Sequence, residues 1–268
     1  GSYSPFVWYG TGIGPWFCLL RSNRREITLN RLINIAGVSL LAPTESIVSF
    51  ASEVAFGREA DATEVIPPLF VLGHWRSGTT FLHNLLACDP GHAFPTTLQC
   101  LFPGSFLITQ HTLGWLVSAL LPAKRPMDDV PLGRDTPFED EFALAKLGVA
   151  STYAGLAAPG RPPNLDHLDL TDLPLEQCAT WEETFLRFMR RLQFANPGKR
   201  LVLKSPPHTA RIATLLKLFP EARFIHITRN PFEIYPSTIN LWKVLNSRQG
   251  FANPARDDEW LPDYVLPR

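Results

Sequence analysis

Residues 68–83 comprise an apolar run, a turn bounded by two glycines and the opening of an amphipathic helix: Pro68-Leu69-Phe70-Val71-Leu72, Gly73-His74-Trp75-Arg76-Ser77-Gly78, then Thr79-Thr80-Phe81-Leu82-His83. A strand that passes through glycines directly into a helix aims backbone N–H groups and the positive end of a helix dipole at one point. That point is an anion site, and the stretch reads as a phosphate-binding loop. The remaining chain has to decide which phosphate compound the loop holds and what chemistry follows.

Composition narrows the setting. With 268 residues, 45% hydrophobic and 19% charged, the chain is long and apolar enough to bury a core as one large α/β domain. Lys and Arg total 25, as do Asp and Glu, so no global basic field invites nucleic acid, and anion binding must be local. The four cysteines (Cys18, Cys88, Cys100, Cys178) are scattered and form no metal-ligand pair, so no metal site is expected. They fit a reducing cytoplasm, the expected location, without excluding disulfides. No basic-then-apolar leader follows Gly1-Ser2. The apolar stretches Ile33 to Ala42 and Leu113 to Leu121 are each shorter than the roughly 20 residues that span a bilayer, so no transmembrane segment is expected.

Along the chain, residues 1–66 read as a helical N-terminal extension packed on a nucleotide-binding core at 67–246. Separate helices are expected at Leu32 to Leu41 and Glu45 to Phe56. The helix after the loop is expected over about Gly78 to Ala87, burying Phe81, Leu82, Leu85 and Leu86. Phe102 to Leu121 reads as a broken apolar helix, either core or the wall of an apolar acceptor site. Thr136 as N-cap and Pro137 at the first position predict a helix there, whose Glu139, Asp140 and Glu141 suit the helix dipole. Residues 158–176 read as a surface connection, and Thr180 to Phe194 as an amphipathic helix.

A βαβ unit follows: strand Arg200 to Lys204, helix Thr209 to Phe219 with Ile212, Leu215, Leu216 and Phe219 inward, and strand Ala222 to Thr228. Its two strands, expected to pair in parallel, end in Lys204 and Arg229, so both cations emerge at the carboxyl edge of the sheet, where the loop also lies. Asn230-Pro231-Phe232-Glu233 caps a last helix that contains Pro236, a local rule broken beside the expected site. Residues from Ser247 onward read as loop.

A nucleoside-triphosphate loop requires lysine after its second glycine and an acid at a neighbouring strand end to hold Mg²⁺. Here Thr79 stands at the lysine position and Arg229 at the strand end, so the loop suits a less charged anion without a metal. A phosphosulfate fits. A nucleophile elbow does not, since Trp75 stands where it needs glycine.

These residues resemble a known family. Gly73 to Thr80 is similar to the 5′-phosphosulfate loop of sulfotransferases that use 3′-phosphoadenosine 5′-phosphosulfate (PAPS). Arg229-Asn230-Pro231 with Ser237 is similar to their 3′-phosphate motif, and Leu203-Lys204-Ser205-Pro206 to their lysine-bearing strand end. The closest subgroup is the bacterial type, related to the tyrosylprotein and Golgi-type enzymes. The resemblance implies a three-layer P-loop α/β fold with a mostly parallel sheet, PAPS as co-substrate and 3′-phosphoadenosine 5′-phosphate (PAP) as product. It also implies a small-molecule, lipid or glycan hydroxyl as acceptor, an amine being the lesser choice. The alternatives are a P-loop small-molecule kinase and a non-catalytic nucleotide-binding protein on the same scaffold.

By the same resemblance, Arg76, Ser77, Gly78, Thr79 and Thr80 bind the 5′-phosphosulfate, and Arg229 and Ser237 the 3′-phosphate. Lys204 stabilises the oxygen that bridges phosphorus and sulfur as that bond breaks. The base does not carry over: Pro206 stands where the cytosolic enzymes place histidine, and residues 89–110 lack the glutamate of the tyrosylprotein type. Glu139 and Glu141 are the nearest candidates, with His208 a third; His74 and His83 are expected to pack.

Overall fold

The structure, a computed structural model, describes residues 6–112, 114–124, 130–252 and 260–265. The chain opens with α1 (Ile13–Ser22) and α2 (Leu32–Asp61), then enters β1 (Leu69–Leu72) and α3 (Thr79–Leu86). Short elements follow: β2 (His92–Ala93), α4 (Thr97–Leu101), α5 (Phe106–Thr112), α6 (Gly114–Leu120), α7 (Asp140–Leu147) and α8 (Asp166–Asp169). The second half holds α9 (Leu175–Ala195), β3 (Arg200–Lys204), α10 (Ile212–Leu218), β4 (Arg223–His226), α11 (Pro231–Gln249) and α12 (Trp260–Val265).

The sheet is parallel throughout, in the order β2-β3-β1-β4. Each end strand of the expected βαβ unit is present, but β3 and β4 do not pair with each other; β1 lies between them. Val71 stands beside Lys204, and Leu72 beside His226. The loop that leaves β1 therefore has Lys204 on one flank and Arg229 on the other.

Alternation along the strands sends Phe70, Leu72, Leu201 and Leu203 to one face, where Trp181, Phe185, Phe188 and Leu192 of α9 and Leu215 of α10 close the main core. The opposite face, Leu69, Val71 and Val202, is covered by Leu82 and Leu86 of α3. Helices on both faces make the three-layer arrangement. A second core joins Trp8 and Trp16 of the N-terminal segment to Trp75, Tyr153, Trp242, Phe251 and Tyr264, so this segment packs against the loop and α11.

Several local expectations change. The two helices expected before residue 57 are one 30-residue helix, α2, with Pro43 inside it. Leu29–Asp61 is long and apolar enough to cross a membrane by length and composition, unlike the short runs read separately from the sequence. On α3 the sheet takes Thr79, Leu82, His83 and Leu86, while Phe81 and Leu85 are exposed; His83 Nε2 donates to the Val202 carbonyl at 3.1 Å, which makes an imidazole acceptable inside. Helix α7 starts at Asp140 rather than near Thr136, because Pro137 is held in an antiparallel bridge with Thr96 and Thr136 closes a turn on Gly133. In α10 only Leu215 is buried, with Phe219 just beyond it, whereas Ile212 and Leu216 are partly exposed. Phe106, Leu107 and Val117 belong to the main core, whereas Trp115 and Leu116 are exposed. Within 158–176, Leu168 and Leu170 are buried, and α11 runs on to Gln249, past the expected loop start.

Candidate active site

The loop is shaped by its glycines. Gly73 has φ +147°, and a Cβ there would lie 2.6 Å from the Ile227 carbonyl oxygen, so the loop can pass this close to the β4 chain only as glycine. Its N–H donates to Thr209 Oγ1 at 2.9 Å. The Ser77 hydroxyl turns back and donates to the His74 carbonyl at 2.7 Å, bracing the turn. Gly78 has φ +105° with open space where a Cβ would stand, directly before α3. The first amides of α3 have no carbonyl one turn earlier in the helix, so they face that open space as donors.

Two residues hold the loop from the sides. Arg76, in the left-handed region at φ +68°, donates from Nε to Ser237 Oγ at 2.9 Å, beside Pro236 inside α11. Trp75 is buried; its Nε1 donates to the Tyr153 hydroxyl at 3.0 Å, and its carbonyl accepts from Thr238 at 3.3 Å.

Lys204 ends β3 and is buried. Its Nζ donates to Thr80 Oγ1 at 3.2 Å and forms an ion pair with the Glu139 carboxylate. The other Glu139 oxygen accepts from the Tyr153 hydroxyl. The result is a closed ring: loop, Trp75, Tyr153, Glu139, Lys204, Thr80 and loop again. Burial, and then the Glu139 charge, push the Tyr153 phenol well above its ordinary value, so it remains a donor. Burial, aided by the Lys204 charge, drives His83 down to about 3, so it stays neutral behind the lysine.

Glu139 is the first of three consecutive acids, each with a basic partner on the segment that leaves β3. Asp140 meets His208 Nε2 at 2.6 Å and accepts from Ser205 Oγ at 2.8 Å. Glu141 holds Arg211 through two bonds of 2.6 and 3.1 Å. Arg211 also donates to the carbonyls of Leu168 and His167 and lies 5.0 Å over the Trp181 ring. Neither pair has any exposure to water. Burial raises Asp140, but His208 and Ser205 outweigh it and hold the carboxyl below its ordinary value. The helix dipole alone therefore does not account for these acids.

Of the residues singled out in the sequence, the structure brings Arg76, Gly78, Thr79, Thr80, Glu139 and Arg229 around one cleft of about 440 Å³, with Trp75 and Tyr153 in its wall. Lys204 reaches that wall through Glu139 and Thr80. Ser237 joins through Arg76. Arg229 is half-exposed and pairs with Glu233 at 2.7 Å, between the cleft and a second groove lined by His226, Thr228 and Tyr235. Glu141 and His208 lie outside, locked in their buried pairs. An apolar recess of about 300 Å³, with Phe94, Leu132 and Phe138, adjoins the cleft and shares Thr80 and Asn84 with it. Sequence reasoning misses Tyr153 and Trp75 as site residues, because neither belongs to a spacing that marks it.

A cleft with a helix N-terminus, a flanking arginine and a buried ammonium fits an anion of the phosphosulfate kind. Comparison with known proteins agrees. A model of the Sulfotransferase family matches residues 67–264. The chain is 37% identical over 264 residues to the omega-hydroxy-beta-dihydromenaquinone-9 sulfotransferase Stf3 of Mycobacterium bovis, and equally to that of Mycobacterium tuberculosis, covering 97% of this chain and 68% of each relative. Its fold is similar to the crystal structures of sulfotransferase STF9 from Mycobacterium avium (TM-score 0.58, 22% identity, 92% of this chain and 69% of that one) and STF1 from Mycobacterium tuberculosis (TM-score 0.59, 17% identity, 95% and 72%). The phosphate loop and the strand-end lysine thus sit in a chain that belongs to the sulfotransferase family and is an enzyme of sulfuryl transfer.

Proposed function

We propose that the protein transfers the sulfuryl group of PAPS to a hydroxyl of a lipid-like acceptor by in-line displacement, with protein cations in place of a metal. The carrying observation is the Lys204–Glu139 pair, set against Thr80 at the loop. In this reading the amides of Ser77 to Thr80 and the hydroxyls of Thr79 and Thr80 hold the 5′-phosphosulfate, with Arg76 adding charge. Arg229, and Ser237 beside Arg76, take the 3′-phosphate.

Lys204 acts on the leaving side. As the bond from sulfur to the bridging oxygen breaks, the ammonium stabilises the charge left on that oxygen. Glu139 acts on the attacking side and takes the proton of the acceptor hydroxyl as its oxygen bonds to sulfur. At rest both Glu139 oxygens are occupied, because Lys204 donates to one and Tyr153 to the other. Turning the ammonium toward the bridging oxygen frees that carboxylate oxygen to take the proton of the acceptor hydroxyl. Tyr153 keeps the carboxylate aimed. Glu141 and His208 are left to structure.

The apolar recess beside the cleft supports a lipid acceptor, as does the similarity to a relative whose name specifies a hydroxylated menaquinone. Thermal unfolding with added nucleotide tests the donor. PAP is expected to raise the melting temperature far more than ATP with Mg²⁺, and Arg229→Ala to abolish most of that gain without changing the melt of the nucleotide-free protein. Equal shifts for both nucleotides, or none, would overturn the assignment.

A further inference from the structure

Helix α2 turns two different faces outward and inward. Ile35, Val38, Ala42, Glu45, Ser52, Gly57 and Ala60 are buried against the body of the protein. On the other side Ile33, Leu40, Ile47, Phe50 and Val54 are each more than two-thirds exposed, as is Leu29 just before the helix. With the exposed Ala36 and Pro43, these positions run 33, 36, 40, 43, 47, 50 and 54, an apolar stripe that alternates steps of three and four along five turns. A stripe this long and continuous on an exposed face marks an interaction surface.

Its flanks decide the kind of partner. A seam that pairs with another helix in water carries charged residues along its edges. Between Leu32 and Ser52 the single charged residue is Glu45, which is buried and accepts from Ser105 at 2.9 Å. The stripe is edged instead by Ser39, Thr44, Ser46 and Ala51. The exposed arginines of the N-terminal segment gather at the start of the stripe, whereas its far end is followed by the mixed charges Glu53, Arg58, Glu59 and Asp61. Trp16 donates to Ser39 at 2.9 Å and the Ile13 N–H to Ser46 at 2.8 Å, so α1 runs antiparallel to α2 and carries the exposed Arg21, Arg24 and Arg25 back toward the start of the stripe. Phe17 of α1 is also exposed. An uncharged apolar face with arginines at its end matches a lipid surface with anionic headgroups.

We infer that α2 docks the enzyme on an anionic membrane, lying in the plane of the interface with the Ile33–Val54 stripe in the acyl boundary. The helix does not cross the bilayer while its inner face remains packed on the protein. The inference stands apart from the choice of acceptor, since it concerns where the enzyme sits.

Flotation of the full chain with vesicles tests it. Binding is expected to phosphatidylcholine vesicles containing about a third phosphatidylglycerol, and to be much weaker to phosphatidylcholine alone. Ile47→Asp with Phe50→Asp should lower partitioning about tenfold or more, with an unchanged thermal melt because both side chains are exposed. Arg21→Ala, Arg24→Ala and Arg25→Ala together should remove the preference for anionic vesicles. The inference is overturned if the chain does not float with either vesicle, or if the double substitution leaves flotation unchanged. It is equally overturned if light scattering shows a vesicle-indifferent dimer that the same substitutions dissociate, which would assign the stripe to a second copy.

Discussion

Replacing Glu141 with glutamine changes the charge of one partner in an ion pair that has no contact with water. Arg211 cannot give up its proton, so the variant leaves a buried guanidinium without its counter-charge. Breaking a buried pair in this way costs about 3–5 kcal/mol. Arg211 keeps the carbonyls of Leu168 and His167, at 2.9 and 2.6 Å, which places the expected loss at about 3 kcal/mol, the lower end of that range. In a chain of this size the loss lowers the melting temperature by roughly 6–12 °C. Glu139→Gln is expected to do the reverse. Glu139 lines the cleft, and its glutamine carbonyl can still accept from Lys204, which also keeps Thr80, so the stability cost falls to about 1–2 kcal/mol. Turnover, however, loses the proposed base and should drop by about 10²–10⁴. The assays are urea unfolding of both variants and single-turnover sulfuryl transfer from PAPS to the proposed lipid-like hydroxyl acceptor, each rate referred to folded protein. The reasoning fails if Glu141→Gln unfolds like the parent, or if Glu139→Gln turns over at the parental rate.

Tyr153→Phe removes the hydrogen bond to Glu139 and strands the Trp75 indole N–H, so stability should fall by about 1–3 kcal/mol in urea unfolding, and kcat should fall more than PAP affinity. Gly73→Ala places a methyl 2.6 Å from the Ile227 carbonyl in a backbone region that favours glycine; loss of PAP binding is expected in calorimetry, along with a lower unfolding midpoint. Burial raises Glu45 from 4.5 to about 7, so between those values the folded chain holds a proton that the unfolded chain has released. Its contribution to stability is therefore full at acid pH and is lost as pH rises toward 7. Urea unfolding across that window should show Glu45→Gln gaining on the parent as pH increases.

The phosphate loop is legible in the sequence because its glycines and its strand-to-helix hydrophobicity switch are local signals. Lys204 is legible as a strand end for the same reason, whereas β4 stops at His226 and leaves Arg229 beyond the sheet; nor is the insertion of β1 between β3 and β4 legible, because a crossover tells that two strands are parallel, not that they are adjacent. The inner face of α3 escapes a count of apolar side chains, because the sheet accepts Thr79 and His83 once a strand carbonyl satisfies the imidazole. The separation of Glu139 from Asp140 and Glu141 is invisible for a different reason. Their partners lie 65, 68 and 70 residues away, and only the folded register shows that Glu139 lines a cleft while Asp140 and Glu141 do not. Tyr153 is likewise fixed by tertiary contacts alone.

The three consecutive acid–base pairs have a consequence for how the site rests between turnovers. Moving the Glu139 backbone away from Lys204 requires α7 to shift at its first turn, and that turn is anchored by Asp140 and Glu141 in two dehydrated pairs. A displacement that empties the cleft of its carboxylate therefore exposes or separates buried charges and costs a large share of the free energy of unfolding. Hydrogen exchange at the start of α7 and the end of β3 should accordingly follow one opening event, as a single cooperative unit. Little reorganisation energy is then expected when substrates arrive, because Glu139 and Lys204, the groups proposed to receive the proton and the leaving charge, are already held in place from behind.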